Sequence, residues 1–456
     1  MAQIDNAHQA PLGPPSATLT FGVEEEETTH LNESSLPPVD GGFRAWTFLL
    51  AAVIIGAVVW GLPFSFGVFL EAYLKDPKYT TSGIMYCSGP FINMFITRYP
   101  FHRSYTVKLS VLLFLQGVLY AIGGAFLYYP CLSYMSEWFV RRRGLANGTI
   151  SAGTASGGLV LPLFLPSLIS SQGSQKALRY LSIGLIALLV PILPFVKGRL
   201  PELRSSRVRA PARMMFGEKA WLTNSTFWVI LVANTLQGFG YFVPVLWLPT
   251  FATALDINAT NASIALAMLN GGSIAGRLFL GYLCDKFNPW ALSLSTLVFT
   301  SISTIVLWGV LSYSFAGLVA FGVAYGLLAG GYTSLWTGFF DGVGIKSEYL
   351  YQIVVSDSLN PSPGIDDNPI HSTIILGYLM FSRGIGNILS TPISTALSSS
   401  NSSLPAQNTD VHLGFAVDNG KYEKVIVYVG ACFAGAAAIS LMGWLGEKKR
   451  VRESTQ

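Results

Sequence analysis

Two arginines stand inside apolar runs. Arg277 lies within NGGSIAGRLFLGYLCDKF and Arg383 within LGYLMFSRGIGNILSTPIS, and neither has an acidic residue within one helical turn on its own run. A charged side chain at the centre of a bilayer costs at least about 2.5–3.5 kcal/mol, so one kept there binds something or holds a partner. A guanidinium there has two uses. It neutralises an anion, or it ties helices together through carbonyls and carboxylates. The spacing Gly276-Arg277…Gly281…Asp285 favours the second use for Arg277, as a latch to Asp285 or to helix carbonyls. Capture of an anionic solute is the alternative. Arg383 is either a snorkelling arginine near a helix end or a cavity-lining one.

Around these charges stand polar groups on glycine-rich segments: Gln116, Tyr120, Asn270, Tyr378 and Asn387. Each can hydrogen-bond a solute, and each can equally bond a neighbouring helix beside small residues. The pairs Gly123-Gly124, Gly157-Gly158, Gly271-Gly272 and Gly330-Gly331 let helices approach closely, which specifies packing and not substrate. A second constellation joins Glu137, Arg141 and Arg142 with Asp285 at the ends of apolar runs, where charges form conformational gates. Enzyme signatures are missing: there is no Gly-x4-Gly-Lys-Ser/Thr phosphate loop, no His-Glu-x-x-His and no nucleophile elbow with a histidine partner. No cofactor, metal or nucleic acid is expected, and the chain is not expected to be an enzyme. Cys87, Cys131, Cys284 and Cys432 lie in or beside apolar runs without paired spacing, so they read as small buried residues.

These residues need spanning helices to hold them. The chain is 51% hydrophobic and only 11% charged, too little charge to cover a soluble protein of 456 residues. A spanning helix needs about 20 apolar residues, and backbone groups in lipid must bond within the segment. About eleven such runs are visible. They begin near Trp46–Leu70, Ser82–Thr97, Val111–Tyr134, Leu145–Ile169 and Leu178–Val196. After a basic loop come Phe227–Phe251, Ser263–Tyr282, Ala291–Leu311, Ala316–Phe340, Ile374–Leu397 and Tyr422–Leu445. The expected fold is an all-α polytopic membrane protein. Its parts are a disordered tail over 1–40, a helical bundle over 41–197, a linker over 198–225, a second bundle over 226–447 and a short tail over 448–456.

Positive charge marks the cytoplasmic side. Arg141–Arg143, the central loop, Lys286 and the C-terminal Lys448–Arg452 fit one side with two runs between each. The basic stretch from Arg98 to Lys108 does not, because one run separates it from Arg141. Either a run re-enters or a span is missing between Arg103 and Gln116. Asn258, Asn261 and Asn401 head glycosylation sequons in expected outside loops, and Asn224 heads one inside.

Three motifs resemble the monocarboxylate porter family of the major facilitator superfamily, in the form of its fungal members. They are Asp40-Gly-Gly-Phe-Arg-Ala-Trp46, Glu137-Trp-Phe-Val-Arg-Arg-Arg-Gly-Leu-Ala-Asn-Gly148 and Gly276-Arg-Leu-Phe-Leu-Gly-Tyr-Leu-Cys-Asp285. The resemblance implies two six-helix bundles and alternating access. It also implies secondary active or facilitative movement of a small organic solute, with a monocarboxylate and protons as partners and the plasma membrane as location. Three features depart from it. The family's third span is not visible, Asp341 to Ser372 is longer and more polar than the family loop, and Ser273 stands where animal lactate carriers have an aspartate. The alternative function is a non-transporting membrane sensor or an inactive truncated paralogue.

Overall fold

The computed structural model describes residues 37–75, 119–199, 222, 224–339, 369–399 and 413–454. Residues 1–36 of the expected tail over 1–40, the run at Ser82–Thr97, the interval from Arg103 to Gln116, most of the polar stretch after Asp341 and Asn401 lie outside them.

Ten α-helices are described. The first block holds α1 (Phe43–Lys75), α2 (Tyr120–Trp138), α3 (Arg143–Gln172) and α4 (Ser174–Leu189). The second holds α5 (Ser225–Ala254), α6 (Ala259–Cys284), α7 (Pro289–Ser303), α8 (Phe315–Tyr325), α9 (Pro369–Ser399) and α10 (Glu423–Ser454). Seven of the helical rods are long and apolar enough to cross a membrane. Among the described residues there is no strand. The ends mostly agree with the apolar runs to within a turn or so, but α10 runs nine residues past Leu445 to Ser454 and α4 stops at Leu189, seven short of Val196. α9 begins before Ile374, and α2 reaches Trp138 rather than stopping at Tyr134.

Caps explain several starts. Asn224 accepts a hydrogen bond from the Thr226 amide at 3.0 Å, Asn258 from the Asn261 amide at 2.7 Å, and Asn288 from the Trp290 amide at 2.9 Å. Each satisfies one of the four orphan amides at a helix start. Two of these asparagines head the sequons noted above, and their structural use is capping.

The helices alternate in direction. Asp40, just before α1, Trp138 at the end of α2 and Arg142 at the start of α3 meet at one end. Arg450 on α10 reaches Asn224 at the start of α5, and Asp285 at the end of α6 reaches Gly144. We call this the basic end. α1 runs away from it and α2 runs towards it, with the Tyr120 hydroxyl bonded to the Val59 carbonyl in mid-α1.

Burial is inverted relative to a soluble protein. Phe126, Phe299, Phe381 and Ile388 are exposed, while Asn234, Gln237, Asn270, Arg277 and Arg383 are buried. One apolar core runs through both blocks, from Phe64 and Leu165 to Tyr325 and Phe433, and a smaller one joins α1, α2 and α3.

Two helices change pitch. α7 continues as a π-helix over Thr304–Leu311, and α8 continues as a π-helix over Gly326–Gly330 and a 3-10 helix over Gly331–Phe339. Irregular backbone at membrane depth survives only where protein satisfies its freed groups. In α8 it is satisfied: the Ala329, Gly330 and Thr333 carbonyls accept from Gln237, Arg277 and Asn147 respectively.

Candidate functional site

Arg277 is buried to 2% exposure near the middle of the α3–α6 contact. Its Nε donates to the Gly330 carbonyl at 3.0 Å and one terminal nitrogen to the Tyr241 hydroxyl at 3.1 Å. The other terminal nitrogen donates to the Ser151 carbonyl and the Thr154 hydroxyl. Its carbon also lies 5.4 Å from the centre of the Phe64 ring. Ser151, Thr154 and Phe64 belong to the first block, and Gly330 and Tyr241 to the second. Of the two partners expected for a latch, helix carbonyls are the ones found. Asp285 is engaged elsewhere.

Arg383 lies mid-way along α9 and not near a helix end. It is 7% exposed, so it does not snorkel. Its guanidinium carbon stands 4.1 Å from the centre of the Tyr241 ring and 5.7 Å from that of Trp336. Tyr241 therefore touches both arginines, the first through its hydroxyl and the second through its ring face. Phe64 packs edge-on to Tyr241 at 6.2 Å and stacks on Phe242 at 5.4 Å. Among the described residues no aspartate or glutamate is buried. Two guanidinium charges thus share one aromatic ring without a buried counter-charge. A desolvated cation–π contact offsets only about 2 kcal/mol, less than burial of a charge costs.

The other expected site residues divide. Asn270 is fully buried and donates to the Gly158 and Leu266 carbonyls at 3.1 and 3.0 Å, a helix-to-helix role. Tyr120 ties α2 to α1. Asn387 lies one turn beyond Arg383, and its buried Oδ1 has no partner among the described residues. Tyr378 is 43% exposed and packs edge-on to Phe227, so the structure removes it from Arg383's face. Five residues separate the two, about 140° around a helix. Gln116 lies outside the described residues.

At the basic end the expected gate residues meet carboxylates through backbone amides rather than guanidiniums. The Asp285 carboxylate accepts from the Gly144 and Leu145 amides at 2.7 and 3.0 Å, capping α3 from the opposite block. The Asp40 carboxylate accepts from the Val140, Arg141 and Arg142 amides at 3.1, 3.0 and 3.1 Å. Carboxylates suit a helix start, where the dipole and free amides favour negative charge. The Arg141 and Arg142 side chains are exposed. Glu137 accepts from the Arg199 amide at 2.9 Å, closing the first block on itself. Burial holds the Asp285 carboxyl above its ordinary value, the two amides oppose this, and nearby Asp40 adds to it.

Sequence reasoning missed Asp40, Tyr241, Phe64 and Trp336 as members of these clusters. Asp40 was legible only as part of a motif. Tyr241 carries no signal that distinguishes it from other aromatic residues in apolar runs.

The profile of the Major Facilitator Superfamily matches residues 48–344. The chain belongs to the Major Facilitator Superfamily. An MFS-type transporter, pytF, of Aspergillus terreus is 31% identical over 284 residues, covering 56% of this chain and 94% of its own length. Monocarboxylate transporter 10 of Danio rerio is 26% identical over 383 residues, covering 75% of this chain and 73% of its own length. The solved proton:xylose symporter XylE shares the fold at a TM-score of 0.56 and 13% identity, covering 88% of this chain and 95% of that one. This superfamily member is a multi-pass membrane protein that moves a solute across the bilayer.

Proposed function

We propose that the solute is a small organic anion, with monocarboxylates the first class to test. The observation that carries this reading is the Arg277–Tyr241–Arg383 cluster, with no buried carboxylate among the described residues. A site with surplus positive charge is completed by a ligand that supplies the negative charge. The similarity to a monocarboxylate transporter supports the same class.

In this reading the bundles over 41–197 and 226–447 rock about the arginine pair, with 198–225 as the linker. Arg277 is the clasp between them, and Asp285 is the gate at the basic end. The resting form is closed there by Asp285 on α3. The basic charges favour the cytoplasm for that end, and the plasma membrane is the location we propose. Ser273 occupies the position one turn before Arg277, buried and with its Oγ unpaired among the described residues. A serine does not titrate in the working range, so no proton is carried there and transport does not depend on one bound at this position.

The test is uptake into liposomes holding the purified full chain, with lactate, pyruvate and benzoate as anions and xylose as a neutral control. Saturable uptake of at least one anion, and none of xylose, is expected. Saturable xylose uptake with no anion movement would overturn the anion reading.

A further inference from the structure

We infer that Arg383, and not Arg277, receives the carboxylate of the solute, and that Trp336 supplies a second donor to it. This rests on the anion reading above and assigns the two arginines different tasks.

The difference lies in what each arginine has left to give. Arg277 uses all three of its nitrogens on protein partners: Gly330, Tyr241, Ser151 and Thr154. To take a carboxylate it must release bonds that join the two blocks. Arg383 is just as deeply placed, yet its Nη1 has no hydrogen-bond partner among the described residues. Its neighbours are ring faces, Tyr241 at 4.1 Å and Trp336 at 5.7 Å from their centres. A ring face stabilises a cation without consuming its N–H donors. The guanidinium is held in place while the Nη1 donors stay free among the described residues.

A second unspent donor lies beside it. The indole Nε1 of Trp336 is buried and also lacks a partner among the described residues. Indole N–H groups usually find an acceptor when buried. Two unsatisfied donors, on a guanidinium and an indole whose carbon and ring centre stand 5.7 Å apart, with no buried acid among the described residues to meet them, suit one planar acceptor with two oxygens. A carboxylate has that shape.

The surroundings indicate what the rest of the solute is. Phe64, Tyr241, Phe242 and Trp336 supply aromatic faces. One turn along α5 from Tyr241, Gln237 donates to Ala329 and leaves its Oε1 without a partner among the described residues; one turn along α9 from Arg383, Asn387 Oδ1 is in the same state. These are acceptors. A carboxylate carrying an apolar or aromatic body and a hydroxyl therefore fits better than a short aliphatic acid.

The test compares benzoate, 4-hydroxybenzoate and acetate in liposomes containing the full chain, with melting temperature in detergent read alongside. For Arg383→Gln, a rise of at least tenfold in KM for the best of these anions is expected, with melting unchanged. For Trp336→Phe, which keeps an aromatic ring and removes the N–H, a rise of a few fold is expected. Arg277→Gln is expected to lower melting and maximal rate while leaving KM within about twofold. If Arg383→Gln does not fold, Arg383→Lys and Trp336→Phe carry the comparison with the same signs. An unchanged KM in the folded Arg383 and Trp336 variants, or a KM effect confined to Arg277→Gln, overturns the assignment while leaving the anion reading intact. No uptake of any of the three anions by the unaltered chain, with uptake of xylose, overturns the anion reading itself.

Discussion

Asp285 joins the two blocks through one carboxylate, and the proposed gate makes that contact sensitive to pH. It sits at the end of α6, and its oxygens cap α3 in the other block. Burial raises its pKa in this closed form, and separation of the blocks restores solvent and the ordinary value. The closed form therefore binds the proton more readily. Lowering the pH through the interval above the ordinary carboxylate value favours closure, and raising it weakens closure. In a purified chain whose own cysteines are replaced and which bears Asn147→Cys, at a buried position facing Thr333 of the other block, alkylation corrected for the thiolate fraction is expected to slow as pH falls across that interval. Asp285→Asn is expected to flatten this dependence, and Asp285→Ala to speed alkylation at every pH. Faster alkylation at low pH in the parent chain would sink the idea. The sequence named Asp285 as a gate because of its spacing from Arg277. It did not reveal the partner, because the amides of Gly144 and Leu145 leave no trace in side-chain chemistry. Nor did it separate Arg277 from Arg383, because what distinguishes them is which of their donors are already spent.

At the scale of helices, α3 is the hinge of the packing. One of its faces approaches α1, where a Cβ on Gly153 would meet the Val53 carbonyl at 2.4 Å. Another approaches α6, where a Cβ on Gly148 would meet the Arg277 carbonyl at 2.4 Å and the Gly281 Cα at 3.2 Å. Small residues let backbones come this close, and packing rather than water drives such contacts in lipid. Gly148→Val is expected to hold α3 and α6 apart, abolish protection at the basic end and cut uptake at least tenfold, while the chain still reaches the membrane. Normal protection of Asn147→Cys in that variant would refute this account. The glycine pairs are legible as packing sites from their place in apolar runs. Gly157, Gly158, Gly272, Gly330 and Gly331 do sit at close approaches, whereas a Cβ on Gly123 would meet nothing within 4 Å. The pitch changes in α7 and α8 are not legible, because their apolar runs look like any other buried helix.

For the whole molecule, alternation of direction is the main constraint. Asp40 before α1 and Arg450 near the end of α10 both lie at the basic end. Tags on the two termini are therefore expected on the same side of the membrane, both protected in sealed cells and both exposed after permeabilisation. One tag reached from outside would contradict the arrangement. The runs of the second block are readable from hydrophobicity alone, and all six appear as helices in alternating order. The first block is harder to read, because its charges and runs do not agree in parity. α1 and α2 being antiparallel means that Lys75 and Tyr120 both lie away from the basic end.

The Arg277–Tyr241–Arg383 cluster also makes this carrier an electrical device. Two positive charges, Arg277 on α6 and Arg383 on α9, are buried without a buried counter-charge among the described residues. Moving one elementary charge through the whole membrane potential is worth about 2.3 kcal/mol per 100 mV. In the proposed rocking cycle the field is redistributed around those charges, and the empty carrier is then expected to sense voltage. A bound monoanion cancels one charge and a dianion both. The loaded and empty steps of the cycle then respond differently to membrane potential, and the voltage dependence of turnover counts the charges on the cargo.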